Sequence, residues 1–396
     1  MYKVAISNCQ SYEPKAVNDS IAELFSFLGY NFSSFIKPGM TVFIKPNWVA
    51  SRWRESAPHT DTLWSVITHT AVIESVADQV AEALNGKGEI IIGDNPSIDA
   101  DFEELMQFTG IRSLENKYDV PCGILDLRPL VCKDLIDYGR KSKMQPQPGD
   151  PRGEVEINLG KDSLLYGVDP SLFRGVFDER EETVASHSGY TQLYTFSQSI
   201  YNADVYISIP KLKTHHKVGA TLNLKGLVGC VSNKNQLVHW RVGSPETGGD
   251  EYPDKASLEE GKNAKITHRG AHPGNDTIWR MVVDLYTAMH KRERKYFSII
   301  DGIIAGEGKG PFYPHSKNAY VLIAGDDLLA VDIVSTRLMG LNPGKINYLR
   351  YFLDSNRINY NDIDVAGNDI NPDTFFNETS KYLDFVMPEQ WHECIV

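Results

Sequence analysis

Apolar runs rich in β-branched residues alternate along this chain with stretches of helical period, and this alternation constrains the fold more than any other feature. Thr41–Ile44, Glu89–Gly93, Val205–Ile209, Tyr296–Ile300 and Ala319–Ala324 read as buried strands. Val72, Val76, Val80 and Leu84 recur every four residues, which predicts an amphipathic helix over 70–84 with a left-handed stop at Asn85-Gly86. A second helix is expected from Leu328 to Met339, capped by Asp327 and closed by Gly340. Strands alternating with helices imply an α/β fold, a mostly parallel twisted sheet with helices on both faces. The 396 residues are expected to form a single large α/β domain. Two irregular insertions interrupt it, at about 140–165 (Lys, Gln, Pro and Gly) and 243–275 (Gly, Pro, charge and His).

Each predicted strand is followed by polar or ionisable residues. Lys45-Pro46-Asn47, Asp94-Asn95, Lys211-Leu212-Lys213, Asp301-Gly302 and Gly325-Asp326-Asp327 occupy these positions. In open parallel sheets the ligand lies beyond the carboxyl ends of the strands, so a pocket is expected there with five loops pointed at one rim. The expectation requires all five strands to run the same way.

Charge sharpens one of these loops. The chain carries 52 acids and a net charge of −12, yet residues 205–245 hold no Asp or Glu. A window of that length would hold about five at the chain-wide rate. Lys211, Lys213, Lys217 and Lys225 lie inside it, with His215 and His216 between them. A locally cationic patch in an acidic protein suits an anionic ligand, since a carboxylate there would compete with it. The acidic balance argues against nucleic acid or a membrane surface as partner. Five scattered cysteines form no iron–sulfur or zinc spacing, and reduced thiols fit a cytoplasmic protein. No apolar signal core opens the chain, and no apolar run approaches the ~20 residues of a membrane span.

The motifs Ile44-Lys-Pro-Asn47, Pro210-Lys-Leu-Lys-Thr-His-His216, Thr221-Leu-Asn-Leu-Lys-Gly-Leu-Val-Gly229, Ile300-Asp-Gly302, Glu307-Gly-Lys-Gly-Pro311 and Gly325-Asp-Asp-Leu-Leu-Ala-Val-Asp332 occur in this order. Together they resemble the signature of the family called domain of unknown function 362, over roughly residues 40–95 and 200–345. The resemblance implies an α/β fold and a shared pocket, with no general activity attached. Many members carry an appended ferredoxin-like cysteine module; this sequence does not spell one, so their redox role is not carried over. The layout, though not the motifs, is also similar to the N-terminal domain of the nickel-pincer lactate racemases.

Read by chemistry, Lys45, Asn47, Lys211, Lys213, Thr221, Asn223 and Lys225 are the candidate substrate-binding residues. The lysines offer point charges for a phosphate or carboxylate, unless the run is only a solvated basic loop. Lys211 and Lys213 are two apart, so an extended strand would point them to the same side. Gly308 and Gly310 are candidates to bring backbone amides to an anion, although such glycines also make tight turns. His215 is the candidate acid/base group, because nearby lysines favour its neutral form, with Glu307 or Asp301 as its partner. His216, His239, His268 and His272 are candidate ligands for a divalent or transition metal. Asp332, set among apolar residues, is expected to be paired, with Lys45 or Lys225 as the proposed partner. Trp48, Trp53 and Trp64 are either a lid or plain packing. These residues predict an enzyme acting on an anionic, phosphorylated or carboxylated small molecule by isomerase, racemase or transferase chemistry. The alternatives are a metal-dependent, histidine-ligated enzyme or oxidoreductase, and a non-catalytic protein that binds an anionic metabolite.

Overall fold

The computed structural model describes residues 1–51, 63–263, 269–377 and 382–396. Ten strands form the main sheet: β1 Tyr2–Asn8, β2 Thr41–Pro46, β3 Glu89–Asp94, β4 Cys122–Asp126, β5 Val205–Ile209, β6 Lys211–His215, β7 Gly219–Thr221, β8 Lys295–Lys309, β9 Tyr313–Gly325 and β10 Ile363–Gly367. Eight of these lie in the order β10-β1-β9-β8-β5-β2-β3-β4, while β6 pairs with β7 and with β8. The run β8-β5-β2-β3-β4 is parallel throughout.

The expectation of five strands ending at one rim needs one correction. β9 runs antiparallel to both β8 and β1. Only Gly310, Pro311 and Phe312 separate it from β8, and so short a connection can only close a hairpin. Gly325-Asp326-Asp327 therefore end up at the rim opposite the other four loops.

Side chains alternate across the pleat, and this places apolar cores on both faces. Val42, Ile44, Ile90, Ile92, Val205 and Ile207 pack on one face against helices α1 (Pro14–Leu28), α2 (Thr70–Leu84) and α3 (Phe102–Thr109). Phe43, Ile91, Tyr206 and Ile300 pack on the other. The helices α4 (Asn223–Gly226), α5 (Ile278–Met289) and α6 (Leu328–Leu338) cover that second face. Each fully buried Ile or Val contributes roughly 1.5–3 kcal/mol, and trimming Ile44 to Ala would cost about 2–5 kcal/mol.

The helix ends follow their local chemistry. Asn85 takes the left-handed stop of α2 at φ 48°. Asp327 caps α6 by accepting from the Ala330 amide, and Gly340 follows at φ 92°. The two segments expected to be irregular carry more structure than their composition suggests. Glu154–Asn158 pairs antiparallel with Leu193–Ser197, and Lys255–Asn263 is a helix. Among the described residues no helix is long and apolar enough to cross a membrane. All five cysteines are buried free thiols.

Candidate functional site

A cavity of about 970 Å³ opens beyond the carboxyl ends of β2 and β3. β2 supplies Lys45 and, just past its end, Asn47; β3 supplies Asp94, with Asn95 following it. Lys213 and His215 come from β6, Thr221 from β7 and Lys225 from α4. Residues 135–139, 174–178 and 234–240, with Arg269, complete the wall.

The charges divide into neutralised pairs and bare lysines. Lys45 sits 2.8 Å from Asp94, both 4 % exposed, and Asp94 also accepts from the Trp48 and Asn95 amides. Gly229 lies against this pair so closely that a Cβ there would come within 2.2 Å of the Asp94 carboxylate and 2.7 Å of the Lys45 amine. Only glycine fits. Arg174 is bonded to Asp178, and Arg269 lies 3.4 Å from Glu251.

Four lysines have no carboxylate partner among the described residues. Lys213 reaches the carbonyls of Val66 (2.6 Å) and Pro311 (3.1 Å). Lys234 reaches those of Asn95 (3.2 Å) and Val228 (3.3 Å). Lys217 donates to the Arg269 carbonyl and lies 4.4 Å over the Trp240 ring. The Lys225 ammonium has neither a hydrogen bond nor an ion pair among the described residues, although the residue is only 9 % exposed.

Burial and mutual repulsion lower these lysines. Lys225 falls to about 8, through burial first and the Lys45 charge second. Lys217 falls to about 7, through burial and then Lys225. Lys234 also falls to about 7, chiefly through burial. Lys213 is pushed well below its ordinary range by burial, then by Lys211 and Lys225. The Lys225 charge acts on Lys213 and Lys217 and also on His215 and His239.

Two of the chamber histidines, His215 and His239, carry opposite tautomers, set by their partners. The His215 Nδ1 accepts from the Lys217 amide at 3.0 Å, so its neutral ring presents Nε2–H. His239 donates from Nδ1 to the Leu237 carbonyl at 2.7 Å, so its Nε2 keeps a lone pair. Burial holds both rings neutral, and His239 falls to about 3. Buried polar atoms of chamber residues without an internal hydrogen bond among the described residues include Asn95 Oδ1, Thr221 Oγ1, Arg174 Nε and Trp240 Nε1. Buried polar groups are nearly always satisfied, so these atoms are left to pair with water or a polar ligand.

Several residues expected at the site lie elsewhere. The β6–β8 ladder changes register between Lys211 and Lys213, and the two ammonium groups find different partners. Lys211 turns to a separate buried cluster, with Asp301 at 2.5 Å and the Tyr12 hydroxyl at 3.1 Å. Asp301 is thereby used, for it also accepts from Tyr12 (2.8 Å) and the His69 amide (2.9 Å). Glu307 binds Lys317 at 3.1 Å and the Val386 amide at 2.9 Å, outside the chamber. Gly308 and Gly310 bring their loop against β6: Thr214 donates to the Gly308 carbonyl, and a Cβ on Gly310 would meet the Thr214 carbonyl at 1.9 Å.

Asp332 is buried but has no lysine partner. It accepts from the Asn223 amide (2.8 Å), the Asn223 side chain (2.9 Å) and the Leu224 amide (2.9 Å), and so anchors the start of α4. Asn223 is consumed by Asp332 and Ser298. His216 and His239 line the chamber, but His272 does not, and it bonds the Asp250 carbonyl. His268 and Trp53 lie outside the described residues. Among the described residues no three His, Cys, Asp or Glu side chains are grouped to hold a metal ion. Trp48 is core, packed edge-on to Phe102, and Trp64 packs on His69 and Phe108.

Lys234 and Trp240 were legible as members of the acid-free window. Arg174 and Arg269 lie outside it, and nothing local marks them.

The family model described as "Domain of unknown function (DUF362)" matches residues 42–137 and 127–337. The thylakoid-associated protein sll1697 of Synechocystis sp. is 26 % identical over 345 residues, covering 87 % of this chain and 76 % of that protein. Among solved structures, the lactate racemase apoprotein from Thermoanaerobacterium thermosaccharolyticum aligns with 85 % of this chain at 12 % identity and a TM-score of 0.36. The chain spans 57 % of that protein's length.

Proposed function

Since the chain belongs to the family called domain of unknown function 362, for which the chamber would be the working site, we propose that it is an enzyme acting on an anionic small molecule bound by the lysines around Lys225. The observation that carries this reading is Lys225 itself. A buried ammonium without a counter-charge costs several kcal/mol, and an anion at that point would relieve it and its neighbours together. Lys213, Lys217, Lys225 and Lys234 would hold the anionic group, with Thr221 and Asn95 orienting it. The acid/base role moves from His215 to His239. The lone pair on His239 Nε2 can take a proton once a bound anion offsets the lysine charges that help hold it near 3, whereas His215, with Nδ1 engaged, can only donate a hydrogen bond to an oxyanion. Proton removal and return beside a stabilised oxyanion is the kit of an isomerase or racemase, and it also serves a group transfer.

Inorganic pyrophosphate is the probe. Titration calorimetry should show binding to the wild-type chain and a loss of at least about tenfold, some 1.4 kcal/mol, in Lys225→Met. Unchanged affinity in that variant would remove the basis of the proposal. The fold is expected to survive, because Met replaces an uncompensated charge with an apolar chain of similar length. Mass spectrometry of material released from the purified protein would then name the anion.

A further inference from the structure

We propose that the ligand of this chamber is an amphiphile: an anionic head, phosphate or carboxylate, with an apolar tail that leaves across residues 135–138. The inference rests on the anion reading above and adds the tail. The head end is buried, for Lys45, Lys213, Lys225 and Lys234 are at most 9 % exposed. Where the wall reaches solvent it carries large apolar side chains. Leu135 and Tyr138 belong to the chamber wall yet are 58 % and 43 % exposed, and Ile136 beside them is 77 % exposed.

Ten large hydrophobic side chains are exposed among the described residues, and three of them fall within these four positions. Apolar exposure concentrated at the mouth of a cavity marks a binding surface, whereas scattered exposure does not. The turn that carries these side chains is built, because Asp134 accepts from the Ile136 amide at 3.0 Å and caps it. Ile98 and Val176 continue the apolar wall inward, backed by the small core of Cys132, Met144 and Phe177. At about 970 Å³ the cavity is at the upper end for a small-molecule site, with room for a head group and the first part of a chain. A sugar phosphate or a free polyanion would leave Leu135 and Ile136 in water; a tail would cover them.

The test compares inorganic phosphate with octyl phosphate kept below its aggregation limit, by calorimetry on the full chain. Octyl phosphate should bind at least about tenfold tighter, because even two buried methylenes supply that factor. In the double variant Leu135→Ser/Ile136→Ser the preference should fall to within about threefold while inorganic phosphate binds as before. Both substitutions lie on exposed positions away from the lysines, so the fold is not at stake. Equal affinity for the two probes in the wild type would overturn the proposal. So would a tail preference that survives the double substitution, or one that survives while sedimentation with phosphatidylglycerol vesicles is lost, which would make the loop a bilayer contact. Failure of the anion reading looks different: neither probe binds, or Lys225→Met leaves both unaffected.

Discussion

Lys225 governs the chemistry of the chamber at the scale of single residues, and its effects can be read by pH. With Lys217 and Lys234 near 7 and Lys225 near 8, the chamber loses positive charge as pH rises through 7 to 8. A bound anion raises these values, so binding should take up protons. Pyrophosphate affinity should fall from pH 6.5 to pH 9, and calorimetry in buffers of different ionisation heat should register the uptake near pH 7.5. A flat profile would mean that these lysines do not meet the anion. The histidines offer a separate check. Nitrogen NMR of the labelled protein at neutral pH should assign Nδ1–H to His239 and Nε2–H to His215, following their partners Leu237 and Lys217. Gly229→Ala should lower the melting temperature, at a cost of about 1–3 kcal/mol, because its Cβ would collide with the Lys45–Asp94 pair.

At the scale of elements, β6 and α4 decide which side chains reach the chamber. On β6, Lys211 pairs with Asp301 while Lys213 lines the cavity. α4 is one turn long, and it is held by Asp332 on α6 through two amides and the Asn223 side chain. Asp332→Ala should cost about 2–4 kcal/mol by leaving those donors unpaired. It should also weaken pyrophosphate binding, since Lys225 rides on α4. Asp332→Asn keeps an acceptor and should restore part of both. Denaturant titration and calorimetry on the two variants check this, and full binding in Asp332→Ala would show that α4 holds its place unaided.

Much of this level was legible in advance. Four-residue spacing of Val72, Val76, Val80 and Leu84 marks α2, and the clearance of acids from 205–245 marks the segment that lines the cavity. The antiparallel course of β9 was not, because its first half, Tyr313–Asn318, is too polar to read as strand, and this hid the hairpin. A slip in a ladder leaves no local trace either, so Lys211 and Lys213 look equivalent until their partners are known. Asp332 shows the same limit: its burial followed from its apolar neighbours, but its backbone partners on a distant turn did not.

For the whole molecule, the depressed lysines set a sign on stability. Between about pH 7 and their ordinary value of 10.5 the unfolded chain holds more protons at these positions than the folded one. The stability contributed by these groups therefore rises with pH across that window in the ligand-free protein. Pyrophosphate should reverse the trend, giving its largest increase in melting temperature at pH 6.5 and its smallest at pH 9, as thermal scans would reveal. The architecture itself sets a schedule as well as a shape. The sheet partners of β1 are β9 and β10, with Val4 opposite Gly325 and Tyr2 opposite Ile363. β1 must therefore wait for more than three hundred further residues. At ~5–20 residues per second that is about 15–65 s of synthesis, during which an apolar segment has no edge to join. A nascent chain stalled before residue 313 should accordingly be open to protease at its N-terminus and bound by chaperones, becoming resistant only once the β8–β9 hairpin has emerged.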